Sequence, residues 1–125
     1  MQFGVMLPHR WLYAAGNTIA DFAREAEALG YTSLWVTDHI IVPSYRTERG
    51  HIFYEALTTL AYVSSIAPRC RLGVAVLALP PRNAVLVAKQ VATLDALSQG
   101  RVLLGQEIRA TGSPHKKRHR LSLGR

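Results

Sequence analysis

Cysteine is almost missing from this sequence: Cys70 stands alone among 125 residues. One thiol can build neither a disulfide framework nor a cysteine-based zinc site. Its place between Arg69 and Arg71, at a helix-to-strand turn, marks it as a structural thiol. Long apolar runs are missing too. None approaches the roughly 20 residues that a membrane helix needs, so no membrane association is expected. Met1, Gln2, Phe3 and Gly4 carry neither the basic segment nor the cleavage site of a secretory signal, which leaves a cytoplasmic protein as the expectation. Acidic residues are absent from the C-terminal end. Residues 1–108 hold nine Lys/Arg against eight Asp/Glu, whereas the remaining basic excess sits on Arg109, Lys116, Lys117, Arg118, Arg120 and Arg125. Such a run can touch phosphate backbones nonspecifically, but no recognition motif or aromatic interleaving accompanies it. Nucleic acid is therefore not expected as a partner.

What is present is the balance of a globular domain, with 49% hydrophobic and 18% charged residues. Phe3 to Leu7 is a short apolar run stopped by Pro8, as suits a strand covered on both faces. Asn17 is placed as an N-cap, and Ile19, Phe22, Ala23, Ala26 and Leu29 recur at helical spacing until Gly30 ends the helix. Ser33 to Thr37 predicts a second strand, with Trp35 in the sheet packing. The stretch from Asp38 to Phe53 turns polar and reads as a long loop on the rim. Tyr54 to Ile66 predicts a second helix with Leu57, Leu60, Ala61 and Ser64 inward, closed off by Pro68. Leu72 to Leu79 predicts a third strand, ended by Pro80 and Pro81. Asn83 opens a third helix whose Val87, Val91, Leu94 and Leu97 share one face, Gly100 caps it, and Arg101 to Leu104 is a fourth strand finishing at Gly105.

Alternation of apolar strands and helices predicts an α/β fold with parallel strands and right-handed crossovers. An arc of a barrel and an open sheet both fit this order. In either, Asp38 and His39 are delivered to the C-terminal rim of the sheet, where such folds keep their sites. Taken alone, Asp38 caps the loop after its strand and His39 is packed. Glu55 stands in the first helical turn, where its charge suits the helix dipole. Lys89 reads as surface, and His9, His51 and His115 are too scattered for a metal site.

Several segments together, F-G-V-M-L-P, A-E-A-L-G-Y-T-S-L-W-V-T-D-H, L-T-T-L-A-Y-V-S-S-I-A-P-R-C-R-L-G-V-A-V-L and N-A-V-L-V-A-K-Q-V-A-T-L-D-A-L-S-Q-G-R-V-L-L-G, resemble the bacterial luciferase-like monooxygenase family over residues 2 to 105. The D-H pair and the L-P-x-R-N segment are most similar to the branch that uses an 8-hydroxy-5-deazaflavin, coenzyme F420, with FMN as the alternative. The resemblance implies the first four units of a (β/α)8 TIM barrel and a flavin- or deazaflavin-dependent oxidoreductase or monooxygenase, acting by hydride transfer on a small organic substrate. It implies Asp38 and His39 as the catalytic pair, with Asp38, His39, Ala75, Val76 and Asn83 toward the coenzyme. His39 would donate or accept a proton, since an imidazole titrates near pH ~6.5, while Asp38 would orient a hydroxyl. The Ala75–Val76 pair aligns with a non-proline cis peptide that forms a bulge behind the ring in many relatives. Arg82 is either a solvated charge or a contact to the coenzyme's acidic tail, and Asn83 is an N-cap as well.

The chain departs from the pattern after Gly105, where Gln106, Glu107, Ile108 and Arg109 replace a G-x-G-W turn. R-A-T-G-S-P-H-K-K-R-H-R resembles a later family segment, A-L-G-x-P-F-x-x-R-G-R. The expected organisation is thus residues 1–105 as the N-terminal half of the barrel and 106–125 as a basic tail shortened relative to the family, a shifted reading frame being the competing explanation. Two open sheet edges invite association or aggregation, a homodimer being one such outcome. The alternative function is a non-catalytic half-barrel that binds or dimerises without turnover.

Overall fold

The structure, a computed structural model, describes residues 1–40 and 52–107. Most of the expected rim loop, His51 and His115, and the basic tail beyond Glu107 lie outside the described residues. Four strands, β1 (Gly4–Met6), β2 (Ser33–Val36), β3 (Arg71–Ala78) and β4 (Val102–Glu107), alternate with α1 (Gly16–Ala28), α2 (Ala56–Val63) and α3 (Ala84–Leu97). A single 3-10 turn, Trp11–Tyr13, precedes α1.

The sheet order is β1-β2-β3-β4 and every pair is parallel. This order decides between the two arrangements compatible with the sequence. A doubly wound sheet reverses its strand order at a switch point, whereas a barrel adds each strand beside the last. Here the order never reverses, so right-handed crossovers leave all three helices on one face.

That covered face holds the core. Leu34 and Val36 of β2, Leu72, Val74 and Leu77 of β3, Leu57, Leu60 and Val63 of α2, and Ile19, Ala23 and Ala26 of α1 are buried together. Each fully buried aliphatic side chain of this kind contributes about 1.5–3 kcal/mol. The other face carries Trp35, which lies flat across three strands. A Cβ at Gly4 or Gly73 would overlap its indole, and the indole Nε1–H donates to Ser33 Oγ at 2.9 Å. Trp35 therefore packs on the face opposite the helices.

Several boundaries differ from the sequence expectation. Helix α1 starts at Gly16 with Ala15 at its N-cap and no side-chain cap, so Asn17 lies inside it. After the 3-10 turn the chain is extended at Ala14 and Ala15, and the helix opens with Ile19 N–H on Ala15 O at 2.9 Å. Helix α2 is shorter than expected, because Glu55 caps it and Ser64 ends it. Leu97 is exposed rather than inward. The buried series on α3 runs Val87, Val91, Leu94, Ser98, so Leu97 falls about 100° off that stripe. Strand β4 passes Gly105 and pairs onward, Gln106 with Leu77 and Glu107 with Ala78, after a register shift between Val74 and Leu77.

At the N-terminal end of the strands, Arg101 fastens α2 to β4. Its guanidinium donates to the carbonyls of Ser64, Ala67, Cys70 and Ser98 at 2.6–3.0 Å, satisfying oxygens that the end of a helix leaves open. Cys70 is buried with its thiol on Tyr31 O, and burial beside Glu27 raises its pKa, in keeping with a structural role.

Candidate functional site at the strand C-termini

The first three strands end close together, and each exit carries polar side chains. From β1 the chain reaches His9, fully buried. Its Nδ1 donates to Leu7 O at 2.9 Å, and its Nε2 lies 3.0 Å from Thr37 O and 3.2 Å from Thr37 N. The imidazole thus joins the ends of β1 and β2. Burial pushes its pKa below the ordinary histidine value, outweighing the opposing hydrogen bonds to Leu7 and Thr37.

From β2 come Thr37, Asp38 and His39, and the last two part company. The Asp38 side chain is 1% exposed, and its carboxylate accepts from Ala78 N–H at 3.0 Å and from Arg82 at 2.8, 2.9 and 3.2 Å. Arg82 is thus neither a solvated charge nor an outward-reaching arm. It also donates to Glu55 Oε1 at 2.8 Å, forming a three-member bridge across the exits of β2 and β3 and the start of α2. Burial alone would lower the Arg82 pKa, but the two carboxylates outweigh it and hold the guanidinium charged. Glu55 in turn accepts the amides of Leu57 and Thr58 at 3.2 and 2.7 Å. Burial would raise its pKa, yet these amides, the Thr58 hydroxyl and Arg82 prevail and hold it below the usual carboxylate range.

His39, by contrast, is exposed, and its ring lies 4.8 Å from that of Phe53 at a 44° tilt. Phe53 itself stands perpendicular to the His9 ring, with centroids 5.3 Å apart. Its backbone forms an antiparallel bridge with Arg10, flanked by Trp11 N–H on Ile52 O at 2.7 Å and Tyr54 N–H on His9 O at 3.1 Å.

Strand β3 supplies a ledge. The Ala75–Val76 peptide bond is cis, both residues are exposed, and the ladder to β4 slips there. On β4, Gly105 faces this spot, where a Cβ would come within 2.9 Å of Val74 O and 3.4 Å of Val76 Cγ1. The missing side chain keeps the ledge open. Asn83 is exposed and caps α3, with Oδ1 accepting from Val85 and Leu86 N–H at 3.0 and 3.1 Å.

The rim thus joins an open apolar ledge, an exposed imidazole and a buried ionic bridge that holds the loops beneath them. Uncharged Ala75 and Val76 fit the face of a planar ring, while the imidazole can exchange a proton with a neighbour. Among the described residues no three His, Cys, Asp or Glu side chains converge as metal ligands, and no helix is long and apolar enough to cross a membrane. Sequence reasoning placed Asp38, His39, Ala75, Val76 and Asn83 around this rim, but missed His9, Phe53 and the bridging role of Arg82. His9 stands three positions past β1 and Asp38 two past β2, so no shared offset from the strand ends marked His9 in the sequence.

The luciferase-like monooxygenase family profile matches residues 1–120. The F420-dependent glucose-6-phosphate dehydrogenase of Kineococcus radiotolerans is 38% identical over 92 residues, covering 73% of this chain and 26% of that protein. The 5,10-methylenetetrahydromethanopterin reductase of Methanolobus tindarius is 32% identical over 87 residues, covering 70% and 23%. The chain thus spans about a quarter of the length of these curated relatives. Among solved structures, the coenzyme F420 dependent tetrahydromethanopterin reductase from Methanopyrus kandleri superposes with a TM-score of 0.64 at 26% identity, over 84% of this chain and 26% of that one. The oxygenating constituent of 3,6-diketocamphane monooxygenase from Pseudomonas putida, in complex with FMN, superposes at 0.69 with 18% identity, over 88% and 30%, a likeness of fold. Four parallel strands added in sequence order, the alternating helices and the matched sequence lead to one conclusion: the chain belongs to the luciferase-like monooxygenase family.

Proposed function

We propose that this chain supplies the ring-holding part of a deazaflavin-dependent oxidoreductase, with coenzyme F420 preferred to FMN and a small organic molecule as substrate. The open ledge at Ala75–Val76, kept clear by Gly105, is the observation that carries this reading. Two relatives at 38% and 32% identity, and one solved structure at 26%, are F420-dependent or methanopterin-reducing enzymes by name, which supports the deazaflavin. The FMN complex supports the fold.

When bound, the coenzyme supplies hydride exchange at its central ring. Val76, with 42% of its surface exposed, gives the ring face an apolar contact. His39, at the exit of the adjacent strand, holds or takes up the proton at the substrate oxygen, the hydride being exchanged at the carbon that bears it. Asp38 acts at one remove: by gripping Arg82 and the Ala78 amide, it fixes the β3–α3 loop beside the ledge. Asn83 begins α3 there and presents its amide to the same rim.

Titration of the purified chain with coenzyme F420 and with FMN, followed by coenzyme fluorescence, tests the reading. F420 should bind in the micromolar range and more tightly than FMN, and Val76→Glu should abolish binding by setting a charge on the ledge. Binding of neither coenzyme at high micromolar concentration would overturn it and leave a non-catalytic half-barrel.

A further inference from the structure

His39 is exposed, and an exposed imidazole would ordinarily sample three staggered χ1 wells. Here it is met by one ring, Phe53, at 4.8 Å. Phe53 is held from two sides. Its main chain is bridged to Arg10, and its ring stands perpendicular to that of His9, an imidazole locked between Leu7 O and the Thr37 backbone. His9 also accepts the Tyr54 N–H through its own carbonyl, so one residue restrains both the backbone and the ring of the neighbouring segment.

We infer that Phe53 is a positioning residue for His39 and that buried His9 is its anchor: the row His9–Phe53–His39 fixes the direction in which the exposed imidazole points. The inference rests on the reading of His39 as the proton-handling group at the coenzyme, which it deepens. Edge-to-face and tilted aromatic pairs of this spacing favour definite geometries beyond simple burial. Aromatic contact through Phe53 orients the ring of His39 while leaving its nitrogens to the substrate.

The test reads the His39 ring directly. In proton–carbon NMR spectra of the full chain, assigned with His39→Gln, the His39 Cε1–H resonance should stand displaced from its position in a free imidazole by the Phe53 ring current. Phe53→Leu should return it to the free position, whereas Phe53→Tyr, which keeps the ring, should preserve the displacement. His9→Gln keeps one donor and one acceptor between β1 and β2 but removes the aromatic edge. It should shift the resonance in the same direction as Phe53→Leu, with an unchanged far-ultraviolet circular dichroism spectrum. A His39 resonance unmoved by Phe53→Leu, or unmoved by His9→Gln in a folded protein, would overturn the inference. Coenzyme F420 added to the wild-type chain should move the same resonance. If it does not while the Phe53→Leu effect stands, the coenzyme assignment fails and the positioning row survives.

Discussion

Replacing Arg82 by methionine isolates the energetics of the rim, because the aliphatic stem keeps its volume while the charge goes. Arg82 is 10% exposed and faces Asp38 at 1% and Glu55 at 35%. Glu55 retains its bonds to Leu57 and Thr58 N–H in the variant and sits near water. Asp38 retains a single amide, that of Ala78. The loss therefore falls on a buried carboxylate stripped of its cation, a change that costs about 3–5 kcal/mol. Against a total stability of about 5–15 kcal/mol for a domain of this kind, that is a large share. With urea slopes of about 1–3 kcal/mol/M, the unfolding midpoint should fall by on the order of 2 M. Urea titration followed by circular dichroism measures it. Arg24→Ala, which breaks the exposed pair with Asp21 at 60% and 75% exposure, is the control and should cost at most about 1 kcal/mol. Asp38→Leu combined with Arg82→Met removes the stranded charge as well as its partner, so the double variant should be more stable than Arg82→Met alone. An Arg82→Met midpoint no lower than that of Arg24→Ala, or a double variant that loses the full sum of the single losses, would refute the reasoning.

Two further outcomes follow from the same packing. Because burial lowers the His9 pKa in the folded chain, the unfolded chain binds more protons as pH falls below about 6.5, the ordinary histidine value. Stability from this group is complete above that pH and declines beneath it, by up to about 1.4 kcal/mol per pH unit, until the lowered folded value is reached. Urea midpoints from pH 7.5 to 4.5 should show this slope, and His9→Gln should flatten it; an unchanged slope in the variant would discard the assignment. Gly73→Ala forces a methyl group against Cδ2 and Cζ3 of Trp35 at 2.5 and 2.6 Å, and should cost about 1–3 kcal/mol in a thermal melt. In a Trp35→Leu background the same substitution should be nearly neutral, and an equal penalty in both backgrounds would contradict the packing described.

The order of elements was legible because short apolar runs, Pro and Gly boundaries and helical spacing are local signals. Gly30 and Gly100 end their helices with positive φ, as their positions implied. Choosing barrel over open sheet was beyond periodicity, since that depends on which strand pairs with which. Asp38 shows a similar limit at the site. Its arrival at the strand end could be read from S-L-W-V-T-D-H, but its burial under Arg82, 44 residues away, depends on the path of the β3–α3 loop. His9 escaped notice for the same reason: its partners are Thr37 and Phe53, and no spacing in sequence announces them.

The indole laid across the uncovered face of the sheet ties three distant positions into one substitution unit. So long as position 35 carries a bicyclic ring, a side chain at 4 or 73 collides with it; exchange at 73 becomes tolerable once the ring has shrunk, whereas position 4 also meets Ser33 Oγ. Mutational drift at this spot has a favoured sequence of events, with the tryptophan changing before Gly73, and with both Trp35 and Ser33 changing before Gly4.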